Sequence, residues 1–199
     1  MPYTNDVRVG APDQNQATTG AILSAPVGTT LPSLSSITKA SVTIDNAFVG
    51  NEYVSEDGLT LTPNFSTANI KDWSGAIVRK VLEEFDGTLA WQMISTNQNA
   101  MEVAFGQANV TTNAASQTHG KQVQAALGAH LPDPRSWVFL MKDGDARIVI
   151  VVPKGQVTAL NEIKFVPNDA VKWGVTLSTY PDAAGNSIYI MTDDGVVTA

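Results

Sequence analysis

Four Asp-Gly dipeptides, Asp57-Gly58, Asp86-Gly87, Asp143-Gly144 and Asp194-Gly195, punctuate the chain beyond residue 41. A two-residue type I′ turn needs positive φ at both central positions, which Asp-Gly tolerates, so the dipeptide between apolar runs predicts a β-hairpin. At Asp86-Gly87 the flanks are 76–85 and 88–93, with Leu89, Trp91 and Met93 alternating onto one face. At Asp143-Gly144 they are 136–141 and 146–152. Strand 172–180 alternates cleanly, with Trp173, Val175, Leu177 and Thr179 on one face. Residues 156–166, set between Pro153 and Pro167, and residues 187–192 complete the strand pattern. Period-2 alternation of this kind predicts antiparallel sheets with one packed face.

Residues 1–40 are different. They are rich in Ala, Thr, Ser, Pro and Gly, and Pro2, Pro12, Pro26 and Pro32 interrupt any long element. Only 7–9 and 20–24 have strand character there. The division expected is an extended N-terminal arm over 1–40 and a β-domain over 41–199. One helix is predicted: Ser95 and Gln98 have capping-box spacing, Met101, Ala104 and Phe105 fall on one stripe, and Gly106 supplies the stop. Residues 107–130 read as mostly loop. The expected fold is therefore mainly β, an antiparallel sandwich or barrel-forming sheet with one short flanking α-helix and an extended N-terminal arm.

The chemistry available narrows the function. No cysteine is present, which excludes disulfides, thiolate nucleophiles and Cys-ligated metals. Twelve basic against nineteen acidic residues give a net charge of −7, the wrong sign for a sequence-independent nucleic-acid binder. The longest apolar runs, 137–141 and 148–152, fall far short of the about 18 residues of a membrane span, and residues 1–28 lack the pattern of a signal peptide. His119 and His130 are not at the i, i+4 spacing of a zinc pair, and no nucleophile elbow, P-loop or dinucleotide fingerprint occurs. Glu83 and Glu84, adjacent on a strand, point to opposite faces and make no facing carboxylate pair. No catalytic, cofactor or metal site is expected. Trp91, Trp137 and Trp173 lie in strand runs and read as core. Only 16% of residues are charged, which suits a protein that hides much of its surface in an assembly.

Tyr53-Val54-Ser55-Glu56-Asp57-Gly58-Leu59-Thr60 resembles the GY-x-S-x-DG segment of major tail tube proteins from long-tailed, non-contractile phages, with Glu52 where that family has glycine. Asp72-Trp73 with the 77–81 strand, the Asp86-Gly87 hairpin and the helix ending at Phe105-Gly106 follow the same order. Residues 20–29 and 175–181 resemble such proteins from phages of actinobacteria. The resemblance implies a structural virion protein of the tail, assembled in the host cytoplasm: six copies form a ring, inner strands close a barrel, and rings stack into a tube that carries DNA as non-specific cargo. It implies self-association, tape-measure and tail-terminator partners, and neither enzymatic activity nor a membrane partner. Tyr53, Ser55, Glu56, Asp57 and Gly58, in a 50–58 loop, become candidate inter-subunit contacts. The alternatives are a head decoration or tail-terminator protein, or a β-sandwich carbohydrate-binding or adhesion module.

Overall fold

The computed structural model describes residues 7–13, 21–50 and 53–197. Ten strands and one helix follow in order: β1 (Ile22–Pro26), β2 (Val49–Gly50), β3 (Val54–Lys71), β4 (Ile77–Met93), α1 (Gln98–Phe105), β5 (Val110–Asn113), β6 (Gln122–Ala125), β7 (Arg135–Asp143), β8 (Ala146–Leu160), β9 (Trp173–Tyr180) and β10 (Tyr189–Asp193). An eight-stranded antiparallel sheet runs β2-β1-β7-β8-β9-β4-β3, and β10 also pairs with β8. The mainly β, antiparallel, one-helix class read from the sequence is the class observed.

The sheet curls because β8 is shared end to end. Its first half, Arg147–Val151, pairs with β10, while 154–160 pair with β9. Pro153 lies at the change-over, inside a bulge of β8 where Val152 to Gly155 take three steps against the two from Trp137 to Arg135. The sequence reading took this proline as a break between two strands. It is instead tolerated inside one strand because the irregularity removes the ladder bond that its missing N–H would have made.

The curl brings β4 over β7, and alternate residues of both fill the space between them. Trp91 meets Trp137 edge-on at 5.3 Å and Phe139 at 5.6 Å. Leu89, Met93, Val175 and Leu177 are fully buried beside them. Helix α1 caps this core with Ala100, Val103, Ala104 and Phe105. The capping expected from Ser95 falls to Asn97, whose side chain accepts from the Ala100 N–H at 3.0 Å. Ser95 instead accepts from the Tyr53 N–H. Gly106 ends the helix at φ 90°, as expected. On the opposite sheet face a second core joins Leu23, Ala25, Val138, Leu140, Val149 and Val151 to Ile37, Val42 and Phe48.

Within the stretch read as an arm, 22–26 is a buried strand of the main sheet, paired with β7 from Ile22–Phe139 to Pro26–Arg135. Residues 7–9 form no strand, and residue 20 lies outside the described residues. Asp13 is held farther along β7 by its N–H on the Leu140 carbonyl and by a buried ion pair with Arg147. The Arg147 guanidinium also donates to the carbonyls of Thr38, Lys39 and Ala40. This satisfies a charge that would otherwise be costly to bury.

Three further expectations are corrected. Asp86-Gly87 is no turn: both residues sit inside β4, paired with Asn64 and Pro63. Gly87 is crowded there, since a Cβ would come within 2.8 Å of Ile188 Cδ1 and 2.9 Å of Thr179 Oγ1, so any larger residue must displace those side chains. The hairpin turn lies farther on, at 72–76, where Asp72 Oδ1 accepts from Ser74 Oγ and the Ala76 N–H. Of the 50–58 loop, 54–58 are strand, with extra residues taken up as a bulge between the Val54–Met93 and Leu59–Trp91 pairs. Gly58 enters that bulge at φ 68°. Finally, 107–130 carries a small hairpin, β5 against β6, in addition to loop. The Asp143-Gly144 hairpin is as expected, closing at the Asp143–Ala146 pair.

Candidate assembly interface

Strands β8, β9, β4 and β3 form a continuous ribbon whose two faces differ in kind. Inward point Val157, Leu177, Val175, Leu89, Trp91 and Met93, all buried. Outward point short polar groups: Thr60, Thr62 and Asn64 on β3, Thr88 on β4, Thr176 and Ser178 on β9, Gln156 on β8. The register fixes this, because residues paired across an antiparallel ladder share a face: Thr62 with Thr88, Thr88 with Ser178, Ser178 with Gln156. Thr158 and Ser178 hydroxyls lie 2.7 Å apart, and Tyr180 donates to Gln156 Oε1 at 2.9 Å. Charged residues on this face include Lys154 on β8, Glu84 and Asp86 farther along β4 and, toward the hairpin tip, Arg79 opposite Ile70.

Both edges of the ribbon are open among the described residues. Strand β3 is terminal in the sheet order. At the other edge β7 reaches β8 only as far as the Arg135–Gly155 pair, so 156–160 have no strand on that side. Beside this edge runs a groove of 240 Å³, lined by Phe105, Leu127, Leu131, Val157 and Leu160 among others. An unpaired edge next to an apolar groove is a template for another chain.

The hairpin outruns the rest of the sheet. Beyond the Thr88–Ser178 pair, β4 has only β3 for a neighbour, and both strands continue to Lys71 and Ile77. That is roughly 30 Å of two-stranded ribbon at strand rise. It exposes Phe65, Ile70, Trp73, Ile77, Val78 and Leu82. The Phe65 and Phe85 rings, 5.0 Å apart, give it a small packing core of its own.

Of the residues singled out in the sequence, Tyr53, Glu56, Asp57 and Gly58 are exposed at the start of β3. Ser55 is buried and directs its hydroxyl to Asp57 Oδ2 at 3.3 Å. Residues 51 and 52, including the glutamate that replaces the family glycine, lie outside the described residues. His119 and His130 are not near one another in any metal-binding group, and among the described residues no three His, Asp or Glu converge. No described helix is long and apolar enough to cross a membrane. Trp91, Trp137 and Trp173 are core residues, which leaves Trp73 as the exposed one, at the hairpin turn.

Against known families, a model described as phage tail tube protein matches residues 12–199. The chain belongs to that family. Its role is structural, in the phage tail. No curated protein matches the sequence. Among solved structures, this tail tube protein is similar to a chain of the anti-feeding prophage tube-terminating cap, at 15% identity and TM-score 0.45, covering 97% of this chain and 100% of that one. It is also similar to a chain of an extracellular contractile injection system, the PVC sheath-tube complex in its extended state, at 8% identity and TM-score 0.44, covering 96% and 97%. A chain of the native gene transfer agent virion gives 8% identity and TM-score 0.40, covering 74% and 92%.

The sequence reading missed the tail tube protein's longest feature, the projecting hairpin, because it placed the turn at Asp86-Gly87. The signal was present: 60–70 and 77–86 are both strand-like, and Asp72-Trp73-Ser74-Gly75 between them is turn-like.

Proposed function

We propose that six copies close into a ring through the β8-β9-β4-β3 ribbon, and that rings stack into a tube conducting DNA during ejection. The observation that carries this is a four-stranded ribbon apolar on one face, polar on the other and open at both edges. Joining the β3 edge of one copy to the 156–160 edge of the next satisfies both rows of unpaired backbone groups and removes the edges altogether. The polar face then lines the lumen. Threonine, serine and amide side chains dominate this face, Lys154 is too isolated to form a cationic row, and Glu84 and Asp86 repel phosphates, so the polymer slides without adhering. This reading involves no enzymatic step.

The finer placement, a long-tailed, non-contractile phage of an actinobacterial host, rests on the resemblance of 20–29, 53–60 and 175–181. So do assembly in the host cytoplasm and the tape-measure and tail-terminator partners, whereas the division into a 1–40 arm and a 41–199 domain rests on composition and is limited by 22–26, which belong to the main sheet. Residues of the arm, together with Tyr53, Glu56, Asp57 and Gly58, are proposed contacts between neighbours. Ser55 would act from beneath by positioning Asp57.

Negative-stain electron microscopy of the purified chain, before and after concentration, tests the reading. Six-fold rings or hollow tubes are expected. A chain that stays monomeric at every concentration would overturn it.

A further inference from the structure

We infer that the two ends of strand β3 are complementary docking surfaces, the basic hairpin tip of one copy seating on the acidic start of β3 in the next. This deepens the stacked-ring reading and rests on it. At the tip, Lys71, Arg79 and Lys80 are exposed and form no ion pair among the described residues. The one acid there, Asp72, is engaged inside the turn by Ser74 and Ala76. Between the cations Trp73 stands fully in solvent, at 105% relative exposure. A bare indole at the apex of a projection is a feature for insertion elsewhere, since a folded monomer has no use for it.

At the opposite end, Glu56 and Asp57 are exposed and likewise unpaired among the described residues. The nearby lysine, Lys172, is already committed to Asp169 at 3.2 Å. Its pKa is raised first by that partner and further by Asp57 and Glu56, so acidic charge is in excess there. The two ends cannot meet within one copy. Asp57 and Lys71 are separated by 14 residues (71 − 57) of one strand, roughly 45 Å at strand rise. Their pairing must join different copies, and a head-to-tail contact between unlike surfaces propagates instead of closing. Glu83, Glu84 and Asp86 separate the basic tip from the body of the hairpin, which opposes a tip sliding into any other register.

The test reverses the charges. In the full chain, the triple variant Lys71→Glu, Arg79→Glu, Lys80→Glu should cut pelletable tubes by at least about tenfold. Its circular dichroism and melting temperature should match the wild type. The double variant Glu56→Lys, Asp57→Lys should do the same, and the two sets combined in one chain should restore tubes. Wild-type tubes should also shorten as salt rises from about 50 to about 500 mM. If the wild type forms tubes and the triple variant forms them equally well, this inference falls and the tube reading stands. If the combined chain is not rescued, the complementarity falls too. If the wild type yields neither rings nor tubes, the tube reading falls and takes the inference with it.

Discussion

Up to the Thr62–Thr88 pair the β3–β4 hairpin belongs to the sandwich: β9 flanks it, and Leu61, Leu89, Trp91 and Met93 pack into the core. Beyond Gly87, which still packs against Ile188 and Thr179, the same two strands run on largely in solvent with one neighbour each. The backbone ladder is continuous, so hydrogen bonding does not distinguish the halves. Side-chain burial does. A fully buried Leu or Trp contributes about 1.5–3 kcal/mol or more by leaving water, whereas an isolated two-stranded ribbon is marginal. One half stabilises the monomer, and the other is extended surface held in shape by its own ladder and by the Phe65–Phe85 contact.

The contrast is broken most severely on the buried side. Trp91→Ala should cost about 3–5 kcal/mol in chemical denaturation, because it empties the meeting point of Trp137 and Phe139. At the boundary, Gly87→Val should cost about 1–3 kcal/mol by driving a side chain into Ile188 and Thr179. A neutral result there would show that the Ile188 and Thr179 side chains give way freely. On the projecting side, Phe65→Ala should change monomer stability by no more than about 0.5 kcal/mol. A loss as large as at Trp91 would mean that the ribbon is packed in solution and the comparison is wrong. The smallest effect concerns the turn. Asp72 has its pKa lowered, first by the Ser74 hydroxyl and then by the Ala76 N–H. A depressed carboxyl stabilises its turn at pH above the ordinary value of 3.8 and loses that contribution as pH falls through the lowered one. Amide resonances of Ser74 to Ala76 should therefore hold through mild acid and shift only below the usual carboxylate range, while those of Trp91 stay unmoved.

What was legible in the sequence divides along the same line. Burial writes itself as alternation, so β9 and the aromatic core at Trp91, Trp137 and Trp173 could be read directly. The Asp-Gly signal could not separate its cases. At Gly144 it marks a turn, at Gly58 a bulge with positive φ, and at Gly87 a place where another strand comes too close for a Cβ. The first two favour glycine through positive φ, and only the third depends on distant residues, Thr179 and Ile188. Pro153 was opaque for a similar reason, since its tolerance depends on a bulge visible only once β8 is paired with β7. The candidate interface was legible least of all. Tyr53 to Gly58 could be picked out by resemblance, but the polar face of the ribbon becomes visible only when Thr62, Thr88, Ser178 and Gln156 are lined up by register.

The bond directions in that register also set how the molecule bears a load. Hydrogen bonds of an antiparallel ladder lie perpendicular to the strands. A pull along β4, applied at the hairpin tip, therefore moves β3 and β4 together and strains the β4–β9 bonds sideways and all together, like rivets in a lap joint. A force across the strands would open them one at a time, as a zip opens. The protein is thus stiff along the hairpin axis and weak across it, and a cable of such units would resist stretching far better than splitting.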